Sequence, residues 1–114
     1  MTYLTSILDT IKKMLGLAAD YDAFDTDVIV GINSALMILN QLGVGPENAY
    51  AITGRDSTWE DFLGDSETDV ESVKMFVYLT TRSTFDPPAS SSVANAMEEM
   101  RKELEWRLAV KVYE

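Results

Sequence analysis

The sequence predicts an all-α fold: a single, bundle-like helical domain over residues 1–114, with four main helices and one short helix. Three observations predict it. Apolar residues recur every three or four positions in four segments, which is the spacing of one helical face. Helix-capping residues precede these segments, and glycine or proline follows most of them. The length of 114 residues is that of one domain, and no internal repeat divides it.

The first two predicted helices each have one apolar stripe. Thr5 or Ser6 can cap the first, whose stripe consists of Leu4, Ile7, Leu8, Ile11, Met14 and Leu15. Asp25 or Thr26 can cap the second, which Gly43 ends. The wider stripe of the second helix consists of Val28, Ile29, Ile32, Ala35, Leu36, Leu39 and Leu42.

A loop and a short helix come next. Glycine and proline mark residues 43–57 as a loop. Ser57 and Glu60 then have the spacing of a capping box, which predicts a short helix that presents Trp59 and Phe62.

Two short segments of the chain have a strand-like pattern. Residues 49–53 form a brief apolar run, and residues 109–113 alternate between apolar and polar side chains. We therefore expect that these two segments can pair as a small two-stranded sheet.

The fourth predicted helix is apolar on both sides. Thr68 and Glu71 form a second capping box in front of it, although its β-branched residues would also suit a strand. One face carries Val70, Val73, Phe76, Val77 and Thr80. The opposite face carries Met75, Tyr78 and Leu79. Something must therefore cover this helix on each side.

A proline corner separates the fourth helix from the last one. Pro87 and Pro88 lack an N–H and restrict the preceding backbone, so the helix that reaches Phe85 must stop. Ser90, Ser91 and Ser92 can cap the next helix. Its predicted stripe consists of Val93, Met97, Met100, Leu104 and Leu108.

The charge and composition exclude several classes of protein. Nine basic and nineteen acidic residues give a net charge of −10, which opposes binding to nucleic acid or to an anionic membrane. The chain has no cysteine and no histidine, so it lacks thiolate metal ligands and the commonest general base. We find no transmembrane segment and no signal peptide, and expect a soluble intracellular protein.

No catalytic, cofactor-binding or metal-binding site is predicted, and we expect that the protein is not an enzyme. The best metal candidate is the group Asp20, Asp22, Asp25 and Asp27. It lacks the glycine of an EF-hand loop. Acidic side chains at the start of a helix are stabilised by the positive end of the helix dipole, so the group needs no metal to explain it. The glutamates of the last helix resemble a magnesium site only superficially, because lysine lies among them.

Large apolar side chains in unusual places indicate a protein interface. Trp106 lies on the far side of the last helix from its apolar stripe, so it either packs on a neighbour such as the Trp59 helix or anchors another subunit. The candidate interface residues are Trp106, Trp59, Met75, Tyr78, Leu79, Phe85, Pro87 and Pro88.

Several segments taken together resemble the head-tail connector proteins of siphophages and prophages of Gram-positive bacteria, which are adaptor or head-completion proteins. The segments occur in the family's order and cover nearly the whole chain: "FDTDVIVGINSALMILNQLGVGPE", "TWEDFL", "VKMFVYLTTRSTFDPPASSSVANAM" and "KELEWRL". One departure is "TTRSTF", where the family has a more aliphatic and basic run.

The resemblance implies a mostly α-helical, non-enzymatic structural protein. Such a protein forms a ring of identical copies beneath the portal protein, binds a head-closure or tail-completion protein, and lets DNA pass without specific binding. It implies a place in the virion, and in the host cytoplasm during assembly. No cofactor and no membrane partner are implied.

Two alternatives from other functional classes stay open at this point. An acidic DNA-mimic inhibitor would use its carboxylates as the binding surface for a nuclease. A magnesium-dependent nucleotide hydrolase would bind metal at residues 20–27 or along the last helix. Metal titration and nuclease binding distinguish both from an adaptor.

Overall fold

The computed structural model describes residues 5–64 and 68–112, and within them it confirms the all-α prediction. The described residues form five helices and no strand: α1 (Ile7–Met14), α2 (Asp25–Gln41), α3 (Trp59–Leu63), α4 (Val70–Phe85) and α5 (Ser91–Val112).

Helices α2 and α4 form the antiparallel centre of the fold. The ring of Phe24, just before α2, lies 5.4 Å from that of Phe85 at the end of α4. Further along, Gly31 of α2 packs against Thr81 of α4. Helix α4 also contacts α5, whereas α2 and α5 contact each other little. The two-sided apolar pattern of α4 is thus explained by two different helical neighbours.

The hydrophobic core lies between α1, α2, α3 and α4. It includes Ile7, Leu8 and Ile11 of α1, together with the buried stripes of α2 and α4. From α5 only Leu108 is buried. The longest helix, α5, therefore contributes little to the hydrophobic core.

The residues that cap the helices differ in part from the sequence prediction. Of the two predicted candidates, Ser6 caps α1, accepting a hydrogen bond from the Asp9 N–H at 3.2 Å. The capping box of α3 is formed by Thr58 and Asp61, one residue after the predicted pair. The reason is that the Ser57 carbonyl accepts a bond from the Ile7 N–H at 3.0 Å, which holds Ser57 in the preceding loop.

The predicted caps of α2 and α4 are also shifted. Helix α4 is capped by Asp69, whose carboxylate accepts from the Glu71 N–H. Helix α2 has Phe24 at its N-cap, without a side-chain cap. Neither Asp25 nor Thr26 is the cap, because α2 already begins at Asp25, whose carboxylate lies 2.7 Å from Lys12 Nζ.

The predicted pairing of residues 49–53 with 109–113 is wrong for the described residues. Helix α5 continues to Val112, and residue 113 lies outside the described part of the chain. At the other segment, the Asn33 side chain binds both backbone groups of Ile52: it accepts from the N–H at 2.7 Å and donates to the carbonyl at 3.0 Å. These are the groups that a strand partner would have used.

The close approach of α2 to α4 depends on Gly31. A Cβ atom at this position would lie 2.8 Å from Thr81 Cγ2 and 3.1 Å from Thr81 Cα. We expect Gly31→Ala to lower the free energy of unfolding by about 1–3 kcal/mol, despite alanine's higher helix propensity, because the two helices must move apart. Chemical denaturation measures the change.

A control and a rescue sharpen this prediction. Gly54→Ala introduces the same methyl where no atom lies within 4 Å, and should have little effect. Thr81→Ala removes the closest contacting atom, so the Gly31→Ala/Thr81→Ala double variant should lose less stability than the two single changes added together. Simple additivity would show that the contact is not the cause.

Candidate functional site

Helix α5 exposes large apolar side chains at several places around its circumference. They are Val93, Met100, Trp106, Val110 and Val112. The predicted core stripe of α5 is therefore wrong for Val93 and Met100, while Leu104 packs against the core and Leu108 joins it. The reason is that α4 is the only helix with extensive contacts to α5, so much of the α5 surface has no cover within the described protomer.

The two tryptophans have opposite environments. Trp59 is 0% exposed, and its indole N–H donates to Thr10 Oγ1 at 3.0 Å. Trp106 is 66% exposed, so no neighbour among the described residues, such as the α3 helix, buries it. Trp59 therefore belongs to the core, and Trp106 is the candidate anchor that the structure leaves accessible.

The candidate residues of α4 are largely covered within the protomer. Leu79 is buried, whereas Met75 and Tyr78 are half-buried. The Tyr78 hydroxyl accepts a hydrogen bond from Arg82 Nη1 at 2.8 Å. Most of this face is thus used in holding α4 against its neighbours.

The proline corner has a defined geometry. The Asp86 N–H donates to the Arg82 carbonyl at 3.1 Å, and Arg82 Nε donates to the Asp86 carbonyl at 3.1 Å. Pro87 is exposed and Pro88 is half-buried. Both prolines line a groove of about 120 Å³ that continues to Leu79, Ser83, Ala94, Met97 and Glu98. The corner therefore fixes how α5 leaves α4.

A second apolar surface, which the sequence analysis missed, surrounds Phe85. We call it the aromatic patch; it consists of Tyr21, Phe24, Val30 and Phe85. The ring of Phe24 contacts those of Tyr21 and Phe85 edge to face, at 5.8 and 5.4 Å. Val30 is 62% exposed. The signal in the sequence was Val30, a large apolar residue outside the main stripe of α2.

A buried lysine neutralises part of the aspartate group at residues 20–27. The Lys12 side chain is fully buried; its ammonium lies 2.7 Å from Asp25 and donates to the carbonyls of Ala19 and Tyr21 at 3.1 and 2.8 Å. Within the described residues, no group of three or more acidic side chains is placed to hold a metal ion. The geometry therefore adds no support to the magnesium-hydrolase alternative.

Arg101 links two acids of α5 to α4. Its guanidinium donates to both carboxylate oxygens of Glu98 at 2.8 and 2.9 Å and to Glu105 at 3.0 Å. It also lies 5.9 Å from the centre of the Phe76 ring. The hydrogen bonds from Arg101 hold the pKa of Glu98 below its ordinary value.

This lowered pKa predicts a pH dependence. Because the folded state holds the Glu98 proton less tightly than the unfolded state does, the stabilisation exists above the ordinary pKa of glutamate and is lost as the pH falls through the lowered pKa. Thermal melts from pH 7 to pH 3 should show Glu98→Gln less stable than the natural protein at neutral pH, by less than about 1 kcal/mol because the carboxylate is partly solvated. That difference should vanish in acid.

The neighbouring glutamate supplies the control for the pH experiment. Glu99 is exposed and forms no salt bridge among the described residues. We expect Glu99→Gln to show no such pH-dependent difference. A loss of equal size in both variants would mean that net charge, and not the Arg101 contact, determines the effect.

Comparison with known protein families identifies the family of this chain. The family model described as phage connector protein matches residues 7–114. The comparisons with curated proteins and with solved structures gave no match. In the part of the chain that the structure describes, no helix has both the length and the apolar character needed to span a membrane.

Proposed function

Since the chain belongs to the phage connector proteins, which are structural components of the virion, we propose that it is a head-tail adaptor that assembles as a ring beneath the portal protein. In this role it acts as one helical domain, binds a head-closure or tail-completion protein, and is present in the host cytoplasm during assembly. The proposed activity is assembly and includes no catalysis.

The observation that carries this proposal is the exposure of large apolar side chains on α5, above all Trp106. Trp106 and four other large apolar side chains of this helix are exposed. Tryptophan is the residue type most enriched among the dominant contacts of protein interfaces. A structural protein of the virion is expected to cover such a surface with another protein, since exposed apolar area favours association.

The charge of the chain suits a conduit for DNA. Each copy carries a net charge of −10. Repeated around a closed ring, this charge repels the phosphates of a passing duplex, provided that acidic residues line the lumen. DNA would then cross the ring without being held.

Electron microscopy tests the proposal directly. The purified chain is mixed with the portal protein from the same genome, and we expect a ring stacked on the portal. Portal particles that remain bare at an excess of the chain would contradict the proposal. A phage genome that lacks this chain should yield filled heads without tails, whereas infectious particles in normal number would also contradict it.

The proline corner gives a separate prediction. Pro87→Ala/Pro88→Ala relaxes the backbone that fixes the direction of α5, while the core residues stay in place. We expect ring yield on the portal to fall severalfold, with a smaller effect on the melting temperature. Ala89→Ser is the control, because it changes the same turn without freeing the proline backbone and leaves the Ser90 cap of α5 in place. An unchanged ring yield would show that Pro87 and Pro88 have no role in ring assembly.

A further inference from the structure

We propose that neighbouring copies join head to tail, with the Trp106 side of α5 in one copy docked onto the aromatic patch of the next. This inference rests on the proposed ring function and names the surfaces that form it. The first surface, which we call the tryptophan face, consists of Lys102, Trp106 and Val110. These residues are four positions apart and so lie along one side of the helix.

The two surfaces lie towards opposite ends of the protomer. The aromatic patch joins the start of α2 to the end of α4. At the far end of α2, Gly43 lies against Val112 of α5, since a Cβ on Gly43 would be 2.9 Å from Val112 Cγ1. Arg101 contacts Phe76 near the middle of α4, so Trp106 lies between the middle of α4 and the Gly43 end. From Phe24 to Gly43 the helical rise is about 28 Å.

The separation of the two surfaces determines the kind of contact that they can make. A two-fold dimer uses the same surface on both copies, and its contacts end with the pair. When the contact joins two different surfaces, one copy still has an unused tryptophan face and the other an unused aromatic patch, so that further copies can be added. Closed rings are built from such contacts.

The charges of the two surfaces are complementary. Asp27 lines one hollow with Phe24, Val30 and Phe85, is exposed, and forms no salt bridge among the described residues, whereas Asp20 and Asp22 share a second hollow with Arg55. On the other surface, Lys102 precedes Trp106 by one helical turn and forms no salt bridge among the described residues. In the part of the chain that the structure describes, the salt-bridge partner of Arg107 is the exposed Glu103, at 3.3 Å.

The charge balance of α5 also favours a contact there. In this helix four basic residues balance four acidic ones, although the whole chain carries −10. Two copies therefore meet with less repulsion at α5 than their net charges would suggest. The same surface offers the exposed indole of Trp106, which can pack against the rings of Tyr21 and Phe24.

Cross-linking tests this arrangement, because the natural chain has no cysteine. One cysteine is placed in each surface, as Val30→Cys and Val110→Cys, and the copies are assembled on the portal and treated with a short bismaleimide. We expect the double variant to give a ladder of covalent oligomers on a denaturing gel. Each single variant should give almost none, because the contact joins two different surfaces.

Two further variants serve as controls. Met37→Cys/Val110→Cys pairs the tryptophan face with an exposed residue of α2 outside the aromatic patch, and should give no ladder. Lys102→Glu should weaken each contact about tenfold, which corresponds to about 1.4 kcal/mol, and ring yield should fall by at least that factor. Adding Asp27→Lys to the same chain should restore much of the yield.

The outcomes separate this inference from the proposed function. Rings on the portal without a ladder in the Val30→Cys/Val110→Cys variant would overturn the head-to-tail contact and leave the adaptor function standing. Strong cross-linking of the Val110→Cys single variant would also overturn it, since that result indicates a two-fold contact. Absence of rings with the natural chain would overturn the proposed function itself, and the inference with it.

Discussion

Trp59→Ala is expected to destabilise the protomer by about 3–5 kcal/mol, a large part of the total stability of a domain of this size. Trp59 is fully buried, and its indole N–H donates to Thr10 of α1. Its loss leaves a cavity where α3 meets α1 and removes the partner of a hydroxyl. Urea denaturation followed by circular dichroism at 222 nm measures the effect.

Trp106→Ala is the matched comparison, because it removes the same side chain from an exposed position. We expect the free energy of unfolding of the protomer to change by less than about 0.5 kcal/mol, as for other surface substitutions. Ring yield on the portal should fall strongly. Equal destabilisation by the two substitutions would contradict the assignment of one tryptophan to the core and of the other to an interface.

Lys12→Met is the second substitution with a large expected effect. Lys12 is fully buried and holds Asp25 together with the carbonyls of Ala19 and Tyr21. Methionine fills the space but donates no hydrogen bond. We expect a loss of about 2–4 kcal/mol, at the lower end if water reaches Asp25, which is 29% exposed.

The adjacent lysine makes this prediction specific. Lys13 is exposed, so Lys13→Met changes the net charge equally without removing buried contacts. We expect hydrogen exchange in the connection between α1 and α2 to speed up in Lys12→Met and not in Lys13→Met. If the backbone amides of this connection are equally protected from exchange in both variants, then Lys12 does not stabilise the connection.

The helices could be predicted from the sequence because their apolar periodicity and caps act locally. For this reason the sequence narrows the cap of α1 to Thr5 or Ser6, and Ser6 is the one that the structure shows. The errors of one residue at α3 and α4 arose where two adjacent residues can both cap a helix, as with Thr68 and Asp69. Which of them does so depends on contacts with distant segments, such as the bond from Ile7 to Ser57.

The environment of each helical face was harder to predict. Periodicity shows which side of α5 is apolar, but whether another helix covers that side depends on the tertiary arrangement. Val93 and Met100 are therefore exposed although their spacing is that of a core stripe. Likewise, the dipole of α1 explains a lysine in its last turn, but not the burial of Lys12.

The candidate surface was predicted only in part. Trp106 was identified because one large aromatic residue faced away from its helix's stripe. Tyr21 and Phe24 lie in the connection before α2, where no periodicity applies. The contact of Phe24 with Phe85 joins positions about 60 residues apart in the chain. Contacts over that distance are set by the fold as a whole.

The attachment of α1 to the segment around Trp59 has a consequence for synthesis on the ribosome. Three bonds tie them: Ile7 N–H to the Ser57 carbonyl, Trp59 N–H to the Thr5 carbonyl, and the Trp59 indole to Thr10. At a translation rate of about 5–20 residues per second, α1 emerges several seconds before these partners exist. During this interval its apolar face is open to chaperones, and a nascent chain stalled before residue 57 should leave α1 accessible to protease.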